Sequence, residues 1–119
     1  MKIGQIAVNV ENVERAVEFY RDVLGLPLLF ETNGLAFFQC EDTRLLLSRP
    51  ESEEFDHPSS VLYFKVDNLQ TEVARMKDAG ATFIDEPHMV AKMENTENWM
   101  AFFKDTEGNT HALMCEITS

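Results

Sequence analysis

The sequence predicts a duplicated α+β fold: two tandem β-α-β-β-β units forming a curved open sheet around a cavity, with the helices on the convex side. Three observations carry this. Residues 5–22, QIAVNVENVERAVEFYRD, overlie residues 61–78, VLYFKVDNLQTEVARMKD, at a constant shift of 56, and a fixed self-similarity is the mark of a repeated unit. Within each copy the apolar period changes from two to about 3.6 and back to two, a strand, a helix and further strands. Between the copies lies PESEEFDHPSS (50–60), polar, acidic and flanked by proline, which reads as a linker.

The elements follow in order. In residues 3–10, Ile6, Val8 and Val10 alternate with Gln5, Ala7 and Asn9, so the first set faces the helix and the second the cavity. Asn12 is placed to cap a helix through its side-chain oxygen. Val13, Ala16, Val17, Tyr20 and Leu24 then recur at helical spacing, and Gly25 stands where a left-handed terminal residue is wanted. Pro27 stops the helix, and strands are expected near 28–31, 35–40 and 43–48. The second copy repeats the scheme: a strand over Val61–Val66, Asn68 as cap, Leu69, Val73 and Met76 as the helix stripe, and Gly80 as its end. Strands follow near 82–85, 99–104 and 109–116, and Ala101-Phe102-Phe103 repeats Ala36-Phe37-Phe38. The 119 residues fit a single domain, with repeat 1 over about 1–49, linker 50–60 and repeat 2 over about 61–119.

Composition excludes several classes of function. With 21 acidic residues against 10 basic ones the net charge is −11, a field that repels nucleic-acid phosphates and anionic lipid headgroups. No run approaches the roughly 20 apolar residues of a membrane helix, and the N-terminus meets acidic residues too early for a signal peptide. Cys40 and Cys115 form no spaced pair. Reduced thiols and a cytoplasmic location are the expectation.

The opening QIAVNVENVERAVEFYRDVLGLPL, its echo VLYFKVDNLQTEVARMKDAGATF and the closing FFKDTEGNTHALM resemble, over nearly the whole chain, the glyoxalase / bleomycin resistance / extradiol dioxygenase (vicinal oxygen chelate) superfamily. That resemblance implies four inward-facing metal ligands in the metal-dependent relatives, one from the first and one from the last strand of each repeat. The matching positions here are Gln5, Leu46 (or its neighbours Leu45 and Leu47), Val61 and Ala112. A catalytic divalent site needs about three N, O or S ligands, and this set offers one neutral amide. No metal and no other cofactor are expected. His111 adjoins Ala112, but strand parity turns it toward the helix layer.

The expected activity is binding of a small molecule, an aromatic or cationic compound sequestered as bleomycin-resistance-like relatives do. The alternatives are a metal-dependent lyase or isomerase of glyoxalase type, and a metal-free enzyme of the same superfamily using His88, Tyr63 or Gln5. The expected ligand face carries Gln5, Asn9, Arg44, Tyr63, Lys65 and Met114. The stretch EPHMVAKMENTENWM (86–100), longer than an ordinary connection, is expected to roof it with His88, Met93 and Trp99. An acid–base role for His88 needs a carboxylate, and Glu86 and Glu94 are the candidates. The resemblance also implies a homodimer.

Overall fold

The computed structural model describes residues 1–32 and 34–118. The chain divides into two compact units, Met1–Ser60 and Val61–Ser119.

The first unit runs β1 (Gln5–Asn9), α1 (Val13–Glu18), β2 (Leu28–Thr32), β3 (Leu35–Cys40) and β4 (Thr43–Ser48). Its sheet order is β1-β4-β3-β2, with β1 parallel to β4 and the other pairs antiparallel. Asn12 caps α1 as expected, its Oδ1 accepting the Arg15 N–H at 3.0 Å. The helix is shorter than its apolar stripe: Phe19–Val23 form a π-helical turn, and Gly25 closes it at φ 90°. The widened turn brings the buried Phe19 and Tyr20 rings together onto the sheet side, and Tyr20 meets Phe38 at a centroid distance of 6.0 Å. Val8, Val10, Ala36, Phe38, Leu45 and Leu47 form the buried helix-side layer.

The second unit comprises β5 (Tyr63–Lys65), α2 (Leu69–Asp78), β6 (Thr82–Phe83), β7 (His88–Met93), β8 (Thr96–Lys104) and β9 (Thr110–Thr118). Asn68 caps α2 through the Thr71 N–H, and Leu69, Val73 and Met76 bury its stripe. The order is β5-β9-β8-β6, with β7 also on β8. Thus β6 and β7 share one edge of β8, together taking the place that β2 takes beside β3. The strand expected over 61–66 narrows to three residues. The larger difference is in 86–100. This stretch is a β-hairpin, with Glu94 in the left-handed region at φ 55° in its turn and a bulge between Met89 and Ala91.

The duplication extends to register. Ala7 pairs with Leu46 and Leu46 with Phe37; Tyr63 pairs with Ala112 and Ala112 with Phe102. Both units therefore place an equivalent three-residue row at the centre of the face turned away from their helix. The small and large members are exchanged between them, Ala7/Leu46 in one and Tyr63/Ala112 in the other, so each row is filled.

Candidate functional site

On the first unit, residues pointing away from α1 follow from parity. Gln5 lies beside Arg44 and Arg44 beside Gln39. The Arg44 guanidinium stands 5.8 Å from the Phe37 ring centroid, a cation–π contact. Phe30 and Phe37 stack at 4.7 Å and 25°, with Phe30 53% exposed. Asn9 also anchors the chain that follows β4. Its Nδ2 donates to the carbonyls of Phe55 (2.7 Å) and His57 (2.9 Å), and its backbone N–H to Ser59 Oγ (3.0 Å), which ties residues 55–59 to β1. An open groove of about 560 Å³, lined by Glu11, Glu14, Glu31 and Arg49 among others, lies beyond the strand end.

The second unit gathers most of the expected residues. Lys65, Met114, Met100 and His88 form one row across four strands. Tyr63, Ala112 and Phe102 form the next, and Tyr63 meets Phe102 edge-on at 5.9 Å. Ala112 is fully buried on this face. Lys65 Nζ is held by Glu116 at 3.0 Å. Met93 pairs with Thr96 and shares the His88 side of β8.

Trp99 does not join them. It pairs with Met89 and Cys115, on the side that carries Ala101, Phe103 and Leu113, and its Nε1 donates to Glu97 at 2.9 Å. Lys77 of α2 over the Phe83 ring, at 6.0 Å, marks that side as the helix side, since Phe83 is the register partner of Phe103. The physical reason is the hairpin: once 96–104 is a continuous strand, the alternation fixed by Phe103 dictates the side for Trp99.

His88 has a carboxylate partner, but a different one from the two expected. Its Nδ1 donates to the Glu86 backbone carbonyl at 2.9 Å and lies 3.6 Å from Asp85 Oδ2. The other oxygen of Asp85 accepts the Phe102 N–H at 2.9 Å. The Glu86 carboxylate is taken by Lys77 at 3.3 Å. His88 and Phe102 lie nearly parallel with centroids 6.5 Å apart. Phe30, Phe37, Phe102 and Asp85 are the residues that sequence reasoning left out. The repeated Ala-Phe-Phe triplet was the available signal for the phenylalanines, because its central member must face opposite to its buried third.

The matching metal positions do not fit a metal. In the first unit they are an exposed amide, Gln5, and an apolar Leu46; in the second, Val61 and a sealed Ala112. Among the described residues no group of three or more His, Cys, Asp or Glu side chains is placed to hold an ion. His111 is fully buried on the helix side, edge-on to Phe64 and Phe103, and its Nδ1 accepts the Leu62 N–H at 3.3 Å. Burial lowers its pKa from the usual imidazole value, partly opposed by Asp105. Burial likewise raises the Cys40 thiol, with Glu41 adding to the effect, so Cys40 stays protonated rather than nucleophilic.

Comparison with known proteins bears on this arrangement. The uncharacterized protein YraH of Bacillus subtilis (strain 168) is 28% identical over 126 residues, covering 92% of this chain and 94% of its own. The metallothiol transferase FosB of Staphylococcus haemolyticus is 31% identical over 67 residues, 56% of this chain and 45% of its own. Among solved structures, the antibiotic binding protein TnmS3 from Streptomyces sp. CB03234 superposes with a TM-score of 0.78 at 22% identity, covering 98% of this chain and 97% of that one. The virulence protein STM3117 from Salmonella typhimurium reaches 0.81 at 16% identity, with 98% of both chains covered. Those two likenesses speak for the fold alone. Residues 2–113 match the family as a whole, and the chain therefore belongs to the Glyoxalase/Bleomycin resistance protein/Dioxygenase superfamily.

Proposed function

We propose that this protein binds a small aromatic molecule on the helix-free sheet faces of its units, without a metal ion. The observation that carries the reading is the centre of the second unit, where a metal-dependent relative would need a donor. There Ala112 lies sealed beneath Tyr63 and Phe102, and the face offers rings and thioethers instead of ligands. Rings and sulfur atoms suit a flat apolar body, and the net charge of −11 tolerates a cationic substituent. The antibiotic-binding activity in the name of TnmS3 is in keeping with this reading. A metal-dependent lyase or thiol transferase would need a Lewis acid to polarise its substrate, and the donor set argues against one. Purified protein is expected to contain only substoichiometric zinc, nickel, manganese and iron. Thermal stabilisation by aromatic compounds is expected to be unchanged by chelator, reaching about 2.7 kcal/mol at 100 times the dissociation constant. One tightly held metal per chain, lost when Gln5 is replaced, would refute the proposal.

The same reading takes the functional form to be a homodimer. Every residue of β7 is exposed, and Met89, Val90 and Met93 present large apolar side chains there. An apolar edge strand left open invites uncontrolled pairing, and a second copy supplies a cover. Light scattering is expected to give twice the 13.6 kDa chain mass. A monomer at micromolar concentration overturns this part.

A further inference from the structure

His88 is held in an unusual way for an exposed side chain. Because a carbonyl can only accept, the 2.9 Å contact with the Glu86 oxygen requires the proton on Nδ1. Neutral His88 then presents Nε2 as a bare acceptor. Asp85 steadies the arrangement from both ends: one oxygen is fixed by the Phe102 N–H, the other lies 3.6 Å from Nδ1. The imidazole is thus oriented by the strand against which a ligand would lie. Beside it run Phe102 and Tyr63, and in its own row Met100 and Met114.

We propose that the helix-free face of the second unit recognises a flat aromatic molecule bearing a hydroxyl group, with His88 Nε2 as the acceptor for the hydroxyl hydrogen. The inference rests on reading this face as a binding surface and adds the chemistry of the ligand. An acceptor must be met by a donor, and the phenolic hydroxyl is the strongest neutral donor commonly carried by an aromatic ring. A carboxylate at the same place would be repelled by Asp85 and has no proton to give. A bare carbonyl would meet the nitrogen lone pair and lose its water without compensation. The rings beside His88 suit the aromatic body, in edge or offset contact with Phe102. Asp85 acts as a positioning residue, through the ring it orients.

The test uses the full chain and two probes of nearly the same shape, 2-naphthol and 2-methoxynaphthalene, which differ in the hydroxyl hydrogen. Their affinities are read from chemical-shift titrations, which also report whether each variant is folded. Wild type is expected to prefer 2-naphthol by about tenfold, the worth of one good hydrogen bond. In His88→Phe, which keeps a ring, the preference should vanish while 2-methoxynaphthalene binds as before. Asp85→Asn retains an acceptor for the Phe102 N–H and should weaken the preference partially. His57→Phe, in the first unit, should leave it intact. Equal binding of both probes to wild type overturns the inference and leaves the binding face standing. Binding of neither overturns both. A preference that survives His88→Phe overturns the assignment to His88.

Discussion

Truncating Phe103 to alanine is expected to destabilise the protein by about 3–5 kcal/mol, the cost of removing a buried aromatic ring and leaving its cavity. Phe103 is fully buried. Its ring meets Phe83 at 5.5 Å and His111 at 5.9 Å. Phe83 belongs to β6, a strand of two residues whose register rests on Lys104 and Phe103. The truncation therefore removes the cross-strand partner that holds β6 and one wall of the histidine site together. Phe102→Ala, the neighbouring change on the half-exposed opposite face, should cost distinctly less. Denaturant midpoints at constant slope would measure both. A loss below about 1.5 kcal/mol for Phe103→Ala would mean that the site collapses to fill the void, and the account of the second unit's core would be wrong.

The second large effect is expected in mild acid. Burial lowers the folded-state pKa of His111, with Asp105 countering in part, while the unfolded chain protonates near the ordinary value of about 6.5. The unfolded state thus binds the extra proton first. The stability contribution is complete above about pH 6.5 and is lost as pH falls from there toward the folded-state pKa, with a slope of at most about 1.4 kcal/mol per pH unit. Protonation also removes the acceptor that Nδ1 offers to the Leu62 N–H. His111→Gln retains a side-chain acceptor without the titration. It is expected to be less stable at neutral pH and nearly flat between about pH 6.5 and 5, above the range where carboxylates dominate acid unfolding. Identical slopes in the two proteins over that window would exclude His111 as the source.

How much of this could be read from the sequence depends on which signals were local. The repeat was legible because its punctuation is local: Asn12 and Asn68 cap their helices in the same way, and Gly25 and Gly80 both take positive φ. The shift between Gln5 and Val61 carries through to equivalent pairings in both sheets. The 86–100 hairpin was not legible, because its turn lacks the glycine that usually announces one. A glutamate, Glu94, takes the left-handed conformation instead, and the bulge after Met89 breaks the period of two. Trp99 is a different case. The alternation that places His111 on the helix side also places Trp99 there, and the strand expected at 99–104 already contained it. The Asp85–His88 contact depends on the path of the chain around Pro87 and has no signature in composition.

The sealed position at Ala112 has a consequence for how this site could change. A carboxylate introduced there alone would meet the facing rings of Tyr63 and Phe102 and be stripped of water, a penalty of several kcal/mol for an unpaired charge. Replacing Tyr63 alone would uncover a methyl group and leave a hollow. Neither single step leads through a well-packed protein to a metal-binding one. The alanine and its two aromatic neighbours are therefore coupled, and substitutions among them should be strongly non-additive. Sequence drift at this face is constrained to paired exchanges, of which the swap between Ala7/Leu46 and Tyr63/Ala112 is an example already written into the chain.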